Sequence, residues 1–137
     1  MTGNCLITGL SGTGKTTVGA QLAAMGYRVI EADKQLVSDD CKPWDGKPWV
    51  WDRRKVRRLL RGQRGVFVCG GAENQGNFLR YFDRVVELTA SLKVTRKRLA
   101  SRTISGPVRT KEHSVPGAIR IDATKSIHAI VYAILRG

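Results

Sequence analysis

The stretch Gly9-Leu10-Ser11-Gly12-Thr13-Gly14-Lys15-Thr16 constrains the fold of this chain more than any other part of it. It has the form G-x-x-x-x-G-K-[ST]. Its glycines let the backbone wrap a phosphate closely, with several N–H groups turned inward in conformations that a Cβ would forbid. Lys15 supplies a point charge for the β and γ phosphates, and the Thr16 hydroxyl is the expected Mg2+ ligand. The surroundings support the pattern. Cys5-Leu6-Ile7-Thr8 precedes it as a short apolar strand, and Val18, Leu22 and Met25 follow at i, i+4 and i+7 as one face of a helix that Gly26 ends. A helix opening at the loop adds its positive dipole end to the same anion site.

Beyond this unit, apolar runs keep alternating with helical patterns, as parallel sheets require. Tyr27 to Ala32 reads as a second strand. The stretch from Asp33 to Trp51 holds Pro43, Pro48, Gly46 and three tryptophans, and reads as irregular. Trp51 to Gln63 is helical, with Val56, Leu59 and Leu60 on one face. Opposite that stripe, Arg53, Arg54, Arg57, Arg58 and Arg61 fill an arc of ~140°. Gly65-Val66-Phe67-Val68-Cys69 is a third strand closed by Gly70-Gly71, and Arg84 to Thr89 is a fourth. Leu92 to Ser101 is a basic helix, 102–117 a polar loop, and Ala118 to Asp122 a fifth strand. Ile127, Ile130, Val131 and Ile134 mark a last helix. The pattern predicts five strands and about five helices in a single three-layer α/β domain spanning residues 1–137.

Composition narrows the setting. No apolar run approaches the roughly 20 residues that cross a bilayer, and the first residues lack the positive region of a secretory signal. Cys5, Cys41 and Cys69 are odd in number and widely spaced, and with His113 and His128 they form no pair at metal-ligand spacing. The cytoplasm is the expected compartment. The formal net charge is +13, and residues 51–137 carry the whole excess, with 19 basic and 6 acidic side chains. Such a field either solvates the surface or attracts a phosphorylated or polyanionic partner.

Several nucleotide-binding classes are excluded by what is missing. The glycines fall at 9, 12 and 14, so the dinucleotide fingerprint G-x-G-x-x-G is absent, as is a base-reading N-K-x-D. A motor or AAA-type ATPase would need an acidic pair at a strand end, whereas the third strand ends in Cys69-Gly70-Gly71. Glu87 lies inside the fourth strand, where a structural partner is the expectation.

Five segments in order, Ile7 to Thr17, Val29 to Asp33, Val66 to Ala72, Val85 to Arg102 and Ile121 to Thr124, resemble the small P-loop kinases that include shikimate, gluconate and nucleoside-monophosphate kinases. The resemblance implies a P-loop NTPase fold with a parallel sheet in the order 2-3-1-4-5, and γ-phosphoryl transfer from ATP to an acceptor hydroxyl or phosphate. It places the nucleotide at Gly9, Gly12, Thr13, Gly14, Lys15, Thr16 and Thr17, with Arg98 and Arg102 from the lid side and Ala123-Thr124 against the adenine. Arg102, Arg109 and Lys111 would close over ATP from a short lid at about 102–117. Asp33 matches the aspartate that orients the acceptor hydroxyl or a metal-bound water, although a turn or helix-capping aspartate is its plain alternative. Gly70 and Gly71 match the glycines that let the acceptor approach.

The acceptor region, about 34–64, departs from the shikimate and gluconate patterns. It offers Trp44, Trp49 and Trp51 followed by the arginines, among them Arg54 and Arg57 as candidate acceptor contacts. Aromatic planes beside guanidinium groups hold bases and phosphates, and they also serve as plain packing. The expected activity is that of an ATP- and Mg2+-dependent kinase, with Lys15, Asp33 and Arg102 carrying the chemistry on a small or nucleotide-like anionic acceptor. A nucleic-acid kinase or binder using the arginine helix, and a non-catalytic ATP-binding module, are the alternatives.

Overall fold

The computed structural model describes residues 3–9, 13–42, 46–90 and 115–136. Five strands, β1 (Cys5–Gly9), β2 (Arg28–Glu31), β3 (Val66–Cys69), β4 (Arg84–Thr89) and β5 (Ile119–Asp122), form one sheet. Every neighbouring pair is parallel and the order is β2-β3-β1-β4-β5. This is the expected topology. β1 lies at the centre with Cys5 opposite Phe67 on one side and Arg84 on the other. A strand flanked and covered on both faces must be apolar throughout, and Cys5, Leu6 and Ile7 are fully buried.

Alternation along β1 divides the core between the two faces. Cys5 and Ile7 pack with Val18 and Leu22 of α1 (Lys15–Ala24) and with Ile130, Val131 and Ile134 of the C-terminal helix, here α4 (Ile127–Arg136). Leu6 faces the other side. It joins Ile30, Leu36, Trp51, Phe78 and the buried stripe Val56 and Leu60 of α3 (Arg53–Leu60). A buried asparagine ties the base of the sheet together. The Asn4 side chain donates to the Gln63 and Tyr81 carbonyls and accepts from the Val66 N–H.

Several boundaries differ from the sequence reading: β2, β3 and β5 each start one residue later, α3 ends at Leu60 and not Gln63, and three further differences have a clear cause. Helix α1 stops at Ala24, so Met25 becomes its C-cap and is 49% exposed instead of facing the core. β2 ends one residue early, because Ala32 opens a four-residue helix, α2 (Ala32–Gln35). Trp51 is not helical: it bridges antiparallel to Val37, and Asp52 caps α3 by accepting from the Arg54 and Lys55 N–H groups. A carboxylate at that position satisfies two of the helix's orphan donors, which fixes where the helix begins. The basic helix expected over Leu92 to Ser101 and most of the 102–117 loop lie outside the described residues.

Since all five strands run the same way, their C-terminal ends, Gly9, Glu31, Cys69, Thr89 and Asp122, share one edge of the sheet. α3 descends from that edge. It starts beside Leu36, whose carbonyl accepts from the Asp52 N–H, and its following turn reaches Gln63 beside Asn4.

Candidate active site

The phosphate loop leaves the middle of that edge, at the end of β1. Gly9 has φ +150°, and a Cβ there would stand 2.5 Å from the Leu88 carbonyl oxygen and 2.9 Å from Thr13 Oγ1. Only glycine fits. Thr13 is buried, Gly14 is the N-cap of α1, and no side chain caps the helix. A helix N-terminus at this point is where the loop chemistry calls for an anion. Lys15 Nζ donates to the Gly9 carbonyl at 2.9 Å, folding the lysine back over the loop. Thr16 and Thr17 are exposed in the first turn of α1. Gly12 falls outside the described residues.

Beside the loop, β2 and β3 bring a second group to the same edge. The Gly70 N–H bonds the Ile7 carbonyl at 3.0 Å, continuing the sheet past β3. Gly70 has φ +138°, and a Cβ on it would lie 2.8 Å from Ala32 Cβ. Its glycine character therefore lets α2 pack down on the strand end. Gly71 is buried next to it. Asp33 follows Ala32 and is half-buried. It does not cap α2, whose N-cap is Glu31. Its Oδ1 instead accepts from the Trp49 indole N–H at 3.1 Å.

The two described tryptophans have separated roles. Trp49 spends its N–H on Asp33, while Trp51 is 2% exposed, stacks at a tilt on Phe78 and has no hydrogen-bond partner for its indole N–H among the described residues. Trp44 is outside the described residues. The loop after β3 holds this region in place through Gln75, whose Oε1 accepts from the Ala72 N–H, and Asn74, which bonds both the N–H and the carbonyl of Trp51. Neither residue stands out in the sequence. An Asn-Gln pair shortly after a glycine pair carries no periodicity and no motif.

Toward the other end of the edge, β5 closes in a turn. Asp122 Oδ1 accepts from the Thr124 hydroxyl at 2.6 Å and from its N–H at 2.9 Å, and these two bonds hold the carboxyl below the usual carboxylate range. Ala123 is buried and its N–H bonds the Thr89 carbonyl. Thr124 is exposed. Ala123-Thr124 thus sits two strands from the phosphate loop, on the same edge.

The arginines are distributed along α3. Arg54 is exposed at the end nearest the site, whereas Arg57 is exposed about one turn further down the helix. Arg80 and Arg57 together draw the Tyr81 phenol below its ordinary value. Arg98, Arg102, Arg109 and Lys111 lie outside the described residues. Glu87 is buried and faces Arg120 at 3.8 Å across β4 and β5. Cys69, at the end of β3, is no nucleophile: burial, then the neighbouring Cys5 and Glu31, push its thiol up to about 12. Among the described residues no three His, Cys, Asp or Glu side chains cluster as a metal-binding group, and no helix is long and apolar enough to cross a membrane.

A family model described as an AAA domain matches residues 5–114. Among solved structures, the chain is similar to a gluconokinase from Sinorhizobium meliloti 1021, at 21% identity and a TM-score of 0.62 over 98% of this chain and 90% of that one. It is similar to an unliganded sugar kinase from Janibacter sp. HTCC2649, at 19% identity and a TM-score of 0.65 over 99% and 94%. A shikimate kinase from Aquifex aeolicus vf5 matches at 14% identity and a TM-score of 0.59 over 97% and 94%. No curated protein sequence matches.

Proposed function

We propose that the chain is an ATP-dependent phosphotransferase: it belongs to the AAA-domain family, so the missing acidic pair at the end of β3 does not exclude that family as the sequence suggested, and it has the fold of the small P-loop kinases. It moves the γ-phosphoryl group to an oxygen of a small anionic or nucleotide-like acceptor. The observation that carries this reading is the convergence of two groups at one sheet edge. A complete phosphate-loop motif follows β1, and Asp33 follows β2 at the same edge of the sheet, on α2 packed against Gly70. β3 ends without a carboxylate, which favours transfer to a bound acceptor over activation of water.

In this reading Lys15 leaves the Gly9 carbonyl for the β and γ phosphate oxygens, and the N-terminal dipole of α1 favours the same anion. The donors fit Mg2+: the exposed Thr16 hydroxyl is a hard oxygen ligand, Mg2+ keeps several waters and phosphate oxygens for the rest, and the Asp33 carboxylate suits a metal-bound water. Bound there, the ion would neutralise charge on the transferring phosphate. Asp33 orients the acceptor hydroxyl. The bond from the γ-phosphorus to the β–γ bridging oxygen breaks as the bond to the acceptor oxygen forms. The hydroxyl proton passes to Asp33 and then to solvent, and ADP departs. Arg102 and Arg98 would add positive charge from the lid, Ala123-Thr124 would flank the base, and Arg54, Gly70 and Gly71 would border the acceptor.

The test offers γ-labelled ATP and Mg2+ with pooled nucleoside monophosphates, nucleosides, small hydroxy acids and 5′-hydroxyl oligonucleotides. Label should reach one pool, and Lys15→Ala should lower that rate by on the order of 10²- to 10³-fold, as removal of one preorganised donor does. Full transfer by Lys15→Ala, or tight ATP binding with no acceptor labelled, refutes the proposal.

A further inference from the structure

We infer that Trp49 is a positioning residue for Asp33, acting through its indole N–H; this rests on the phosphotransferase reading above. Asp33 sits on a helix of only four residues, too short to hold a side chain by its own rigidity. Its carboxylate neither caps that helix nor pairs with a cation among the described residues, and its one hydrogen bond there is the 3.1 Å contact from Trp49. Oδ2 has no partner among the described residues. One oxygen is therefore anchored, and the other is left for a hydroxyl or for metal-bound water.

The donor is itself held from both sides. The Trp49 carbonyl accepts from the Glu73 N–H at 2.9 Å, which ties it to the loop after β3. The next residues are tied to the segment after α2 by Ser38 N–H to the Val50 carbonyl at 2.9 Å and Asp52 N–H to the Leu36 carbonyl at 2.8 Å. Asn74 clamps both main-chain polar groups of Trp51. Trp49 is 9% exposed, so its ring is wedged and not free to swing. Residues 49–52 form a strap that connects the β3 loop, the α2 segment and α3, and among the described residues Trp49 bonds Asp33. Trp51, two residues away and more deeply buried, has no hydrogen-bond partner for its indole N–H among the described residues, so burial alone does not account for the Trp49 contact. A carboxylate that must meet an acceptor oxygen gains most from an anchor of this kind, because misplacement by about 1 Å can cost on the order of 10²-fold in rate.

The experiment is a double-mutant cycle in kcat between Trp49→Phe and Asp33→Asn, with KM for ATP and urea stability measured alongside. Phe keeps the wedge and removes the N–H. Trp49→Phe should lower kcat on the order of 10- to 100-fold and leave KM for ATP unchanged, since the phosphate loop is untouched. In the Asp33→Asn background the same change should have little further effect on kcat, because the group it serves is gone. Equal losses in both backgrounds would mark a merely structural role and overturn the inference, as would wild-type kcat in Trp49→Phe when Asp33→Asn is impaired. Asp33→Asn at wild-type rate would bring down the catalytic reading of Asp33 and the inference with it. If Trp49→Phe loosens the strap, incorporation of 3-benzothienylalanine at position 49 keeps the ring and replaces only the N–H by sulfur. That variant must show the same kcat loss at unchanged stability.

Discussion

Replacing Gly70 by alanine tests whether α2 is seated by contact with the end of β3. The new methyl would carry two separate costs. The backbone at φ +138° is a conformation that L side chains rarely adopt, worth about 1–2 kcal/mol. The methyl would also stand 2.8 Å from Ala32 Cβ, with the Ala32 main chain at 3.7 Å. The contact is with a methyl fixed to the backbone and not with the end of a flexible side chain, so α2 must shift, an overpacking cost of about 1–3 kcal/mol. The total is roughly 2–5 kcal/mol, against a domain stability of about 5–15 kcal/mol. Gly62→Ala separates the two parts. Gly62 has φ +72° with nothing within 4 Å of the added Cβ, so it should cost only the backbone part, about 1 kcal/mol. Urea unfolding followed by tryptophan fluorescence and far-ultraviolet circular dichroism should show a much larger drop in midpoint for Gly70→Ala at similar slope. Because Ala32 precedes Asp33, phosphotransfer should fall as well. Equal destabilisation by the two substitutions would refute the packing argument.

Other consequences follow from the same geometry. Asn4→Ala leaves the buried Val66 N–H and two part-buried carbonyls without their partner, at about 1–3 kcal/mol for the buried group and about 1 kcal/mol for each of the others, about 3–5 kcal/mol altogether; a loss under about 1 kcal/mol in chemical denaturation would contradict this. Burial pushes the Cys5 thiol up to about 11 and that of Cys69 to about 12, whereas Cys41 is only half-buried. An aromatic disulfide reagent at pH 8 should label one thiol in the folded protein and three in denaturant, and two fast thiols in the native state would contradict the burial. The hydrogen bond from Lys55 holds the Asp39 carboxyl below its ordinary range. Its contribution to stability is therefore present above the ordinary carboxylate pKa and is lost as pH falls through the depressed value. Lys55→Met should return the Asp39 carboxyl resonance to an ordinary titration in a carbon-13 experiment, and an unchanged curve would dismiss the pairing.

Local pattern was enough for the frame. The glycine loop between an apolar run and an amphipathic stretch specified strand, loop and helix in order, because phosphate wrapping, strand burial and helix periodicity are all consequences of near neighbours in the chain. Fully apolar runs such as Val66-Phe67-Val68 announced strands covered on both faces, hence a parallel sheet. Periodicity placed Val56, Leu60, Ile130 and Ile134 on buried faces correctly. The boundaries were less legible. Met25 continued the apolar spacing, but α1 ended one residue before it, and Asp52 rather than Trp51 set the start of α3.

What the tertiary structure alone decided are the contacts between segments far apart in the chain. Gly70 reads in sequence as room for an acceptor, yet its requirement comes from Ala32, a residue 38 positions earlier, packing on the strand end. Asp33 reads as either an acceptor-orienting group or a helix cap; the structure gives the cap of α2 to Glu31 and sets the indole N–H of Trp49 on Asp33, whereas sequence could only class Trp49 with Trp51 as aromatic. Arg54 and Arg57 both lie on the basic arc of a helical wheel, but the direction in which α3 runs sets Arg54 nearer the site edge and Arg57 about one turn away from it. The physical reason is common to all three. Backbone conformation and hydrophobic periodicity are written locally, whereas a side chain's partner depends on which strands lie side by side, and that is settled only when the sheet is assembled.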